Sequence, residues 1–373
     1  MRFIHIVPER PLPTGSGAQL RAHAISGGLA ARGEVVTIVV ADILAGAGLQ
    51  AGRRKSFIEA DLPEGVLAEI LSLASPTPAD TVLVEGVYLS AVARILSSRG
   101  LRVILDAHNV ESDLLRQTDL ARHPILARLQ HRGRWRMAAE AERSLLHEVS
   151  AVWACSAMDA DQLRRLSPRS APVHVVPNPV PGWSLAAPQR PRPDGIDALF
   201  VGHLGYRPNI IAARRLARHI LPILRQSDPT ARLTLAGRAP AASLRKALEK
   251  APPDLALVAD PVDLAPLYSQ ATMTLMPLSE GGGTRIKALE AMAAGLPVIA
   301  SAKAVEGLGL VPGREYLAAE SDAEFAEAAL RLGKTPALRE DLADRARIFA
   351  VGKHGPSAIE DAVAAALAKE EPP

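Results

Sequence analysis

The stretch LSEGGGTRIKALEAMAAGLPVIAS, residues 278–301, decides the fold. An apolar run, TMTLMPL (272–278), leads into Gly281, Gly282 and Gly283. From about Thr284 a helical pattern begins, with Ala288, Leu289, Met292 and Ala293 apolar at helical spacing. Gly295, Leu296 and Pro297 stop it, and VIAS forms a second apolar run. Strand, glycine loop, helix and strand make one unit of a parallel sheet. The loop suits an anion, because glycines let backbone N–H groups approach closely and a helix N-terminus favours negative charge. Arg285 and Lys287 put two positive charges in the first turn, where they oppose the helix dipole unless an anion sits there. Further along, the Glu290 carboxylate is placed to accept hydrogen bonds from ribose hydroxyls. The pattern fits a nucleoside diphosphate; the plain alternative is a turn with solvated basic side chains.

The same alternation runs outward in both directions. RFIHIVP (2–8) is a strand, PTGSGAQLRAHAISGGLAARG (13–33) a glycine turn passing into a helix, and EVVTIVVAD (34–42) a second strand. Strands DTVLVEG, LRVILDAHN, AVWACS and VHVVPNPV follow, separated by helical stretches, one of them a long region from 111 to 147. Continuous apolar strands suit a parallel sheet covered on both faces. A proline-rich segment, residues 181–196, reads as a linker, and a second series opens with DALFVGHLG (197–205). The expected architecture is α/β: two Rossmann-like doubly wound domains. Their expected bounds are 1–183 on the acceptor side and 184–355 on the nucleotide-sugar side. A C-terminal helix, 356–373, is expected to pack back toward the first domain.

Composition narrows the function. Of the 373 residues 48% are hydrophobic and 22% charged, as in a folded soluble protein. A net charge of +3, spread over both halves, and 3% aromatics argue against nucleic acid as a partner. Cys155 is the only cysteine, which excludes a disulfide framework and a cysteine metal cluster. No apolar window is long enough for a transmembrane helix, and the expectation is a cytoplasmic protein.

Several ordered motifs resemble one family. PLSEGGGTRIKALEAMAAGLPVIAS, FVGHLGYRPNIIAARRLARHILPIL (200–224), DPVDLAPLYSQATMTLMPL (260–278), GSGAQLR (15–21), DAHNVES (106–112), CSAMDADQL (155–163) and VPNPV (176–180) together resemble retaining glycosyltransferases of family 4, in a glycine-rich-loop branch. The resemblance implies the GT-B fold, with two domains facing a cleft. It implies sugar transfer from a nucleotide-diphosphate donor to a glycan or lipid-linked acceptor in cell-surface polysaccharide or glycolipid synthesis. It also implies no metal and no cofactor. Carried onto this sequence, it makes His108, Arg285 and Lys287 catalytic. The donor-binding set becomes Gly15, Ser16, Gly17, His203, Arg207, Gly281, Gly282, Gly283, Thr284 and Glu290. Val258 and Asp260 fall where the family's nucleobase packs on backbone.

The departures are specific. The first of two family glutamates falls on Gly282, with Glu280 out of register. His203 and Arg207 stand where the family commonly has an arginine and a lysine. Arg21, one turn into its helix, either reaches the cleft or lies on the surface. Asp106 is expected only to support its loop; Glu85, Tyr88 and Ser156, at strand ends, are candidates for the acceptor pocket. Residues 112–136 hold six arginines against Asp113 and Asp119, interleaved with leucines and Trp135. That pattern fits docking on an anionic membrane surface, on the inner face, or a solvated helix face. Two rivals remain open: a catalytically silent GT-B-fold binding protein, and a sugar-nucleotide epimerase on the same scaffold. A nicotinamide oxidoreductase fits less well, since PERPLPTGSGAQL lacks GxGxxG spacing.

Overall fold

The structure is a computed structural model that describes residues 1–47, 62–122, 132–186, 194–248, 254–281 and 285–369. It contains two compact units. The first holds Met1–Pro179 and Gly355–Pro373, and the second holds Val180–Gly281 and Arg285–His354.

In the first unit, β1 (Arg2–Val7), β2 (Glu34–Val39), β3 (Thr81–Glu85), β4 (Arg102–Ala107), β5 (Ala151–Ala154) and β6 (Val173–Val175) form a parallel sheet in the order β2-β1-β3-β4-β5-β6. Successive side chains feed opposite layers, as the pleat requires. Ile4, Ile6, Val82, Val84, Val103, Leu105 and Val152 enter one apolar layer. Phe3, Leu83, Ile104 and Trp153 enter the other, where Ile25 and Leu29 meet Ile359 and Val363 of the Pro356–Ala368 helix. That C-terminal helix packs on the Gly17–Ala30 helix, so the last residues of the chain complete the cover of the first sheet. Gly28 allows the close approach: a Cβ there would sit 3.1 Å from Val363 Cγ2.

In the second unit, β7 (Asp197–Val201), β8 (Arg232–Gly237), β9 (Leu255–Ala259), β10 (Met273–Met276), β11 (Val298–Ala300) and β12 (Leu317–Ala318) order as β12-β11-β10-β7-β8-β9, again parallel where paired. Phe200, Leu235, Leu275, Met292 and Ile299 lie in one continuous core. Val180 N–H donates to His354 O at 2.9 Å and ties the first residue of this unit to its last.

Three elements differ from the sequence reading. The second strand stops at Val39, and Val40–Gly46 is a helix, with Ala41 N–H donating to Pro8 O and Asp42 in the first turn. The long region from 111 to 147 is helical where described, over Glu111–Arg122 and Arg132–Glu148, as expected; 123–131 lie outside the described residues. The helix after β7 is not uniform. Pro222 lacks the amide that would bond to Arg218, and the chain opens into a π turn, Leu216–Ile220, where Leu221 N–H reaches Leu216 O. The expected linker holds a short helix, Gly182–Leu185, and its residues 187–193 lie outside the described set.

Candidate functional site

In the second unit, the C-terminal ends of β7 and β8 meet backbone to backbone. Gly237 has φ +149°, and a Cβ there would overlap the Gly202 carbonyl. Leu204 N–H donates to Arg238 O (2.9 Å) and Ala241 N–H to Leu204 O (3.2 Å), lacing the two loops together. Ala239 and Asp260 both sit in the left-handed region, at φ +48° and +51°. The Asp260 carboxylate accepts the Ala239 amide at 2.7 Å, which holds the first of these two strained residues in place.

Gly281 and the helix that follows the loop lie beside this floor. Gly281 has φ +110°; Gly282, Gly283 and Thr284 lie outside the described residues. The helix runs Ile286–Ala293 with Arg285 as its N-cap residue, so the arginine is the cap and not a first-turn side chain as expected. Nor is it loose. Arg285 Nη2 donates to Gly281 O (3.2 Å) and to Glu306 Oε2 (2.7 Å), an oxygen that also takes Lys303 Nζ at 2.6 Å. Arg285 therefore fixes the mouth of the loop, and Glu306 offsets part of its charge. Lys287 runs back over Gly202, where a Cβ would come within 2.9 Å of Lys287 Cε and 3.0 Å of Asn209 Nδ2. Burial lowers the Lys287 pKa, against the attraction of Glu290. Burial pushes Glu290 up to about 7, resisted by Lys287 and by the Tyr268 hydroxyl, which donates to Glu290 Oε2 at 3.4 Å. Tyr268 stacks at a tilt on Trp183, ring centroids 5.0 Å apart. The Glu290 carboxyl thus sits in a partly apolar wall and is poised to change charge near neutrality.

The other predicted donor residues fare unevenly. Arg207 opens the Arg207–Arg215 helix and pairs with Glu280, the glutamate that stands out of register, so it is not an unshared cation. His203 is exposed, and its carbonyl accepts the Tyr206 amide and Asn209 Nδ2, both at 3.0 Å. In the first unit, Ser16 is the N-cap of the Gly17–Ala30 helix. Its Oγ accepts Gln19 N–H (3.3 Å) while Gln19 Oε1 takes Ser16 N–H (2.9 Å). This capping box engages the Ser16 N–H and hydroxyl within the helix start, so any part that the expected donor-binding loop of Gly15, Ser16 and Gly17 plays falls to its other atoms.

The first unit brings a second constellation together. Arg21 is fully buried, neither in a cleft nor on the surface. Its Nε donates to Asp106 Oδ2 (2.9 Å), its Nη2 to Oδ1 (2.6 Å), and its Nη1 to Val176 O (2.7 Å) and Asn178 Oδ1 (3.1 Å). Asp106 does more than support its loop, since it also faces His108 Nε2 at 3.1 Å. Burial opposes its ionisation, but Arg21 and then His108 outweigh this and hold the carboxyl far below the usual range. Glu85 is fully buried with Oε1 3.9 Å from His108 Nε2. Glu85, Asp106 and His108 each bring one ligand-capable atom within 4.8 Å of the others. The Arg21 guanidinium already sits on both Asp106 oxygens, so a metal ion placed there would have to share that carboxylate with it. Tyr88 donates to Glu111 Oε1 (2.7 Å), and Ser156 caps the Ala157–Leu166 helix by accepting Asp159 N–H (3.1 Å).

Sequence reasoning missed Glu142. It is buried, and it accepts Glu111 N–H (2.8 Å), Ser112 N–H (3.2 Å) and Ser112 Oγ–H (2.6 Å), capping the Glu111–Arg122 helix from another helix. Burial still raises its pKa, to about 7. In AAEAERSLLHE nothing separates it from the exposed Glu140 nearby.

Family models match both units: the "glycosyl transferase 4-like domain" over residues 16–179 and "glycosyl transferases group 1" over residues 195–335. The chain belongs to the family 4-like, group 1 glycosyltransferases. Similar solved structures share the GT-B architecture. Sucrose-phosphate synthase from Thermosynechococcus elongatus matches at TM-score 0.68 and 18% identity over 99% of both chains. Anabaena Alr3699/HepE in complex with UDP-glucose matches at 0.66 and 15% identity, over 99% of this chain and 100% of the other. OtsA in its apo form matches at 0.67 and 15% over the whole of both. At such identities the likeness is one of fold. No curated protein sequence matches the chain. The glycosyltransferase has no helix, among the described residues, long and apolar enough to cross a membrane.

Proposed function

We propose that this glycosyltransferase takes its sugar from a nucleotide-diphosphate donor and transfers it, with retention, to a glycan or lipid-linked acceptor of the cell surface. The observation that supports this best is the arrangement at the Ile286–Ala293 helix: Lys287 folded over Gly202, Arg285 at the N-cap position, and Glu290 one turn on. A diphosphate seated at that N-terminus would meet Lys287 and the helix dipole, and the charge growing on the β-phosphate as the sugar leaves would be stabilised there. Glu290, ionised, would accept ribose hydroxyls. The role of His108 in orienting the donor sugar belongs to the same proposal. So does independence from metal ions and cofactors, since Lys287 and Arg285 supply cationic charge beside the loop.

The test is a binding and hydrolysis screen of UDP- and GDP-sugars against the full chain with EDTA present. One nucleotide should bind, and Glu290→Ala should weaken it about 10- to 100-fold, the loss of one or two hydrogen bonds to a charged group. The pH dependence has a defined sign. With its carboxyl pKa near 7, Glu290 is protonated in mild acid and accepts hydroxyls poorly, so nucleotide affinity rises with pH through about 7. Glu290→Gln should flatten that rise. If no nucleotide bound, or binding survived Glu290→Ala, a silent binding protein would replace this reading.

We also place the cytoplasmic enzyme peripherally on an anionic membrane through residues 112–136. In support, Arg134 and Arg136 are exposed, next to Met137 at 73% exposure; residues 123–131 of this segment lie outside the described set. Co-sedimentation with phosphatidylglycerol vesicles should fall several-fold in Arg134→Glu/Arg136→Glu. Equal sedimentation of the variant and the parent would remove this part.

A further inference from the structure

Five ionisable side chains converge in the interior of the first unit: His5 on β1, Arg21 on the Gly17–Ala30 helix, Glu85 on β3, Asp106 on β4 and His108 just beyond it. Asp106 is saturated, with Arg21 on both oxygens and His108 Nε2 on Oδ2. Glu85 is not. Its Oε1 is buried with no hydrogen-bond donor among the described residues, 3.5 Å from His5 Nε2 and 3.9 Å from His108 Nε2. His5 is engaged on its other side, Nδ1 with Ser26 Oγ at 2.9 Å.

The formal charges decide the protonation. Arg21 offsets one of two buried carboxylates, and the second requires another cation. A buried carboxylate left bare costs several kcal/mol, and a proton on the neighbouring imidazole removes that cost. His108 is the better placed ring, because Nε2–H is already given to Asp106. The added proton goes to Nδ1, the nitrogen not turned to the carboxylate. Burial and, more weakly, the charge of Arg21 oppose this, but the hydrogen bond to Asp106 and the charges of Asp106 and Glu85 outweigh them, and the His108 pKa stands above its ordinary value. The other groups around the ring do not reverse this. Cys155, just beyond β5, gives its thiol to the carbonyls of Ala107 (3.6 Å) and His108 (3.4 Å) and is pushed up to about 12 by burial, so it stays neutral. Glu111 is engaged by Tyr88 (2.7 Å) and Asn109 (3.2 Å). Asn178 accepts from Arg21.

We propose that Glu85 and Asp106 are positioning residues that hold His108 as an imidazolium, so that it presents a fixed Nδ1–H donor to a substrate oxygen and does not serve as a general base. What Nδ1–H meets rests on the glycosyltransferase reading; the charge state does not.

The experiment is an NMR titration of the full chain labelled with 15N-histidine, with His108 assigned by the resonance lost in His108→Gln. His108 should titrate above the ordinary value of about 6.5. Glu85→Gln, neutral and of equal size, should lower that midpoint by about one unit, the shift expected from removing one nearby opposite charge. The alkaline limb of the kcat/KM profile should move down with it. A wild-type midpoint at or below the ordinary value overturns the proposal, as does a midpoint unmoved by Glu85→Gln. Displacement of the resonance by added zinc overturns it too. Should Glu85→Gln fail to fold, the wild-type titration decides alone. Because this readout needs no substrate, it separates failure of the proposal from failure of the donor assignment.

Discussion

Asp106→Ala is expected to lower the stability of the first unit by about 3–5 kcal/mol, the cost of removing one partner of a buried ion pair. The magnitude follows from what Arg21 loses. In the native chain its guanidinium is wholly enclosed, with Asp106 as the anion against it and Val176 O, Pro177 O and Asn178 Oδ1 as its other acceptors. Without Asp106 those neutral acceptors remain, but the guanidinium loses the one carboxylate in contact with it, Glu85 acting only at a distance, and an arginine does not escape by deprotonating. At roughly 2–4 °C per kcal/mol for a unit of this size, the calorimetric transition should fall by roughly 6–20 °C. Arg21→Met combined with Asp106→Leu should recover much of the loss, since apolar side chains of like volume substitute well for a buried pair. A drop of less than about 1 kcal/mol in Asp106→Ala would show that the pair is not the anchor described above.

Gly237→Ala is expected to cost about 3 kcal/mol or more, by a steric route. The Cβ would overlap the Gly202 carbonyl, and φ +149° is a conformation that only glycine adopts freely. Backbone faces backbone here, so no rotamer change relieves the clash, and β7 and β8 must separate. That moves Gly202, over which Lys287 lies, so nucleotide affinity should fall in whatever fraction folds. Gly27→Ala is the control. Gly27 lies inside the Gly17–Ala30 helix with nothing within 4 Å of an added Cβ, and alanine there should stabilise by about 0.5–1 kcal/mol. Parallel urea melts decide the matter; a Gly237→Ala midpoint close to that of the parent would contradict the close approach of the two strand ends.

Much of this was legible in the sequence, and for local reasons. A continuous β-branched run such as RFIHIV suits only a strand buried on both faces, and a glycine loop entering an alanine-rich helix announces a parallel crossover. Strand positions in both units, the glycosyltransferase family, and the grouping of Arg285, Lys287 and Glu290 on one loop and helix follow from neighbours within a few residues. The second strand was read three residues too long because VVAD continues the apolar pattern. The contact of Ala41 with Pro8, distant in the chain, ends it.

Which charged groups share a space is settled by packing between distant elements. Arg21 and Asp106 are 85 residues apart in the chain and fully buried against each other. Glu142 looks like any helix-surface glutamate until Glu111 and Ser112 close on it. Arg207 and Arg285 read as available cations until Glu280 and Glu306 arrive beside them. The periodicity of a sequence reports how each residue faces its own element, and that settles the fold. Charge compensation in the interior depends on distances between elements, which fall steeply in effect with separation and are set only when the sheets and helices pack. Local pattern therefore accounts for the scaffold and for the glycine-rich turn ahead of the Ile286–Ala293 helix. Packing determined which of the chain's acids and bases are engaged, and so the surroundings of His108 in the first unit and of Glu290 in the second.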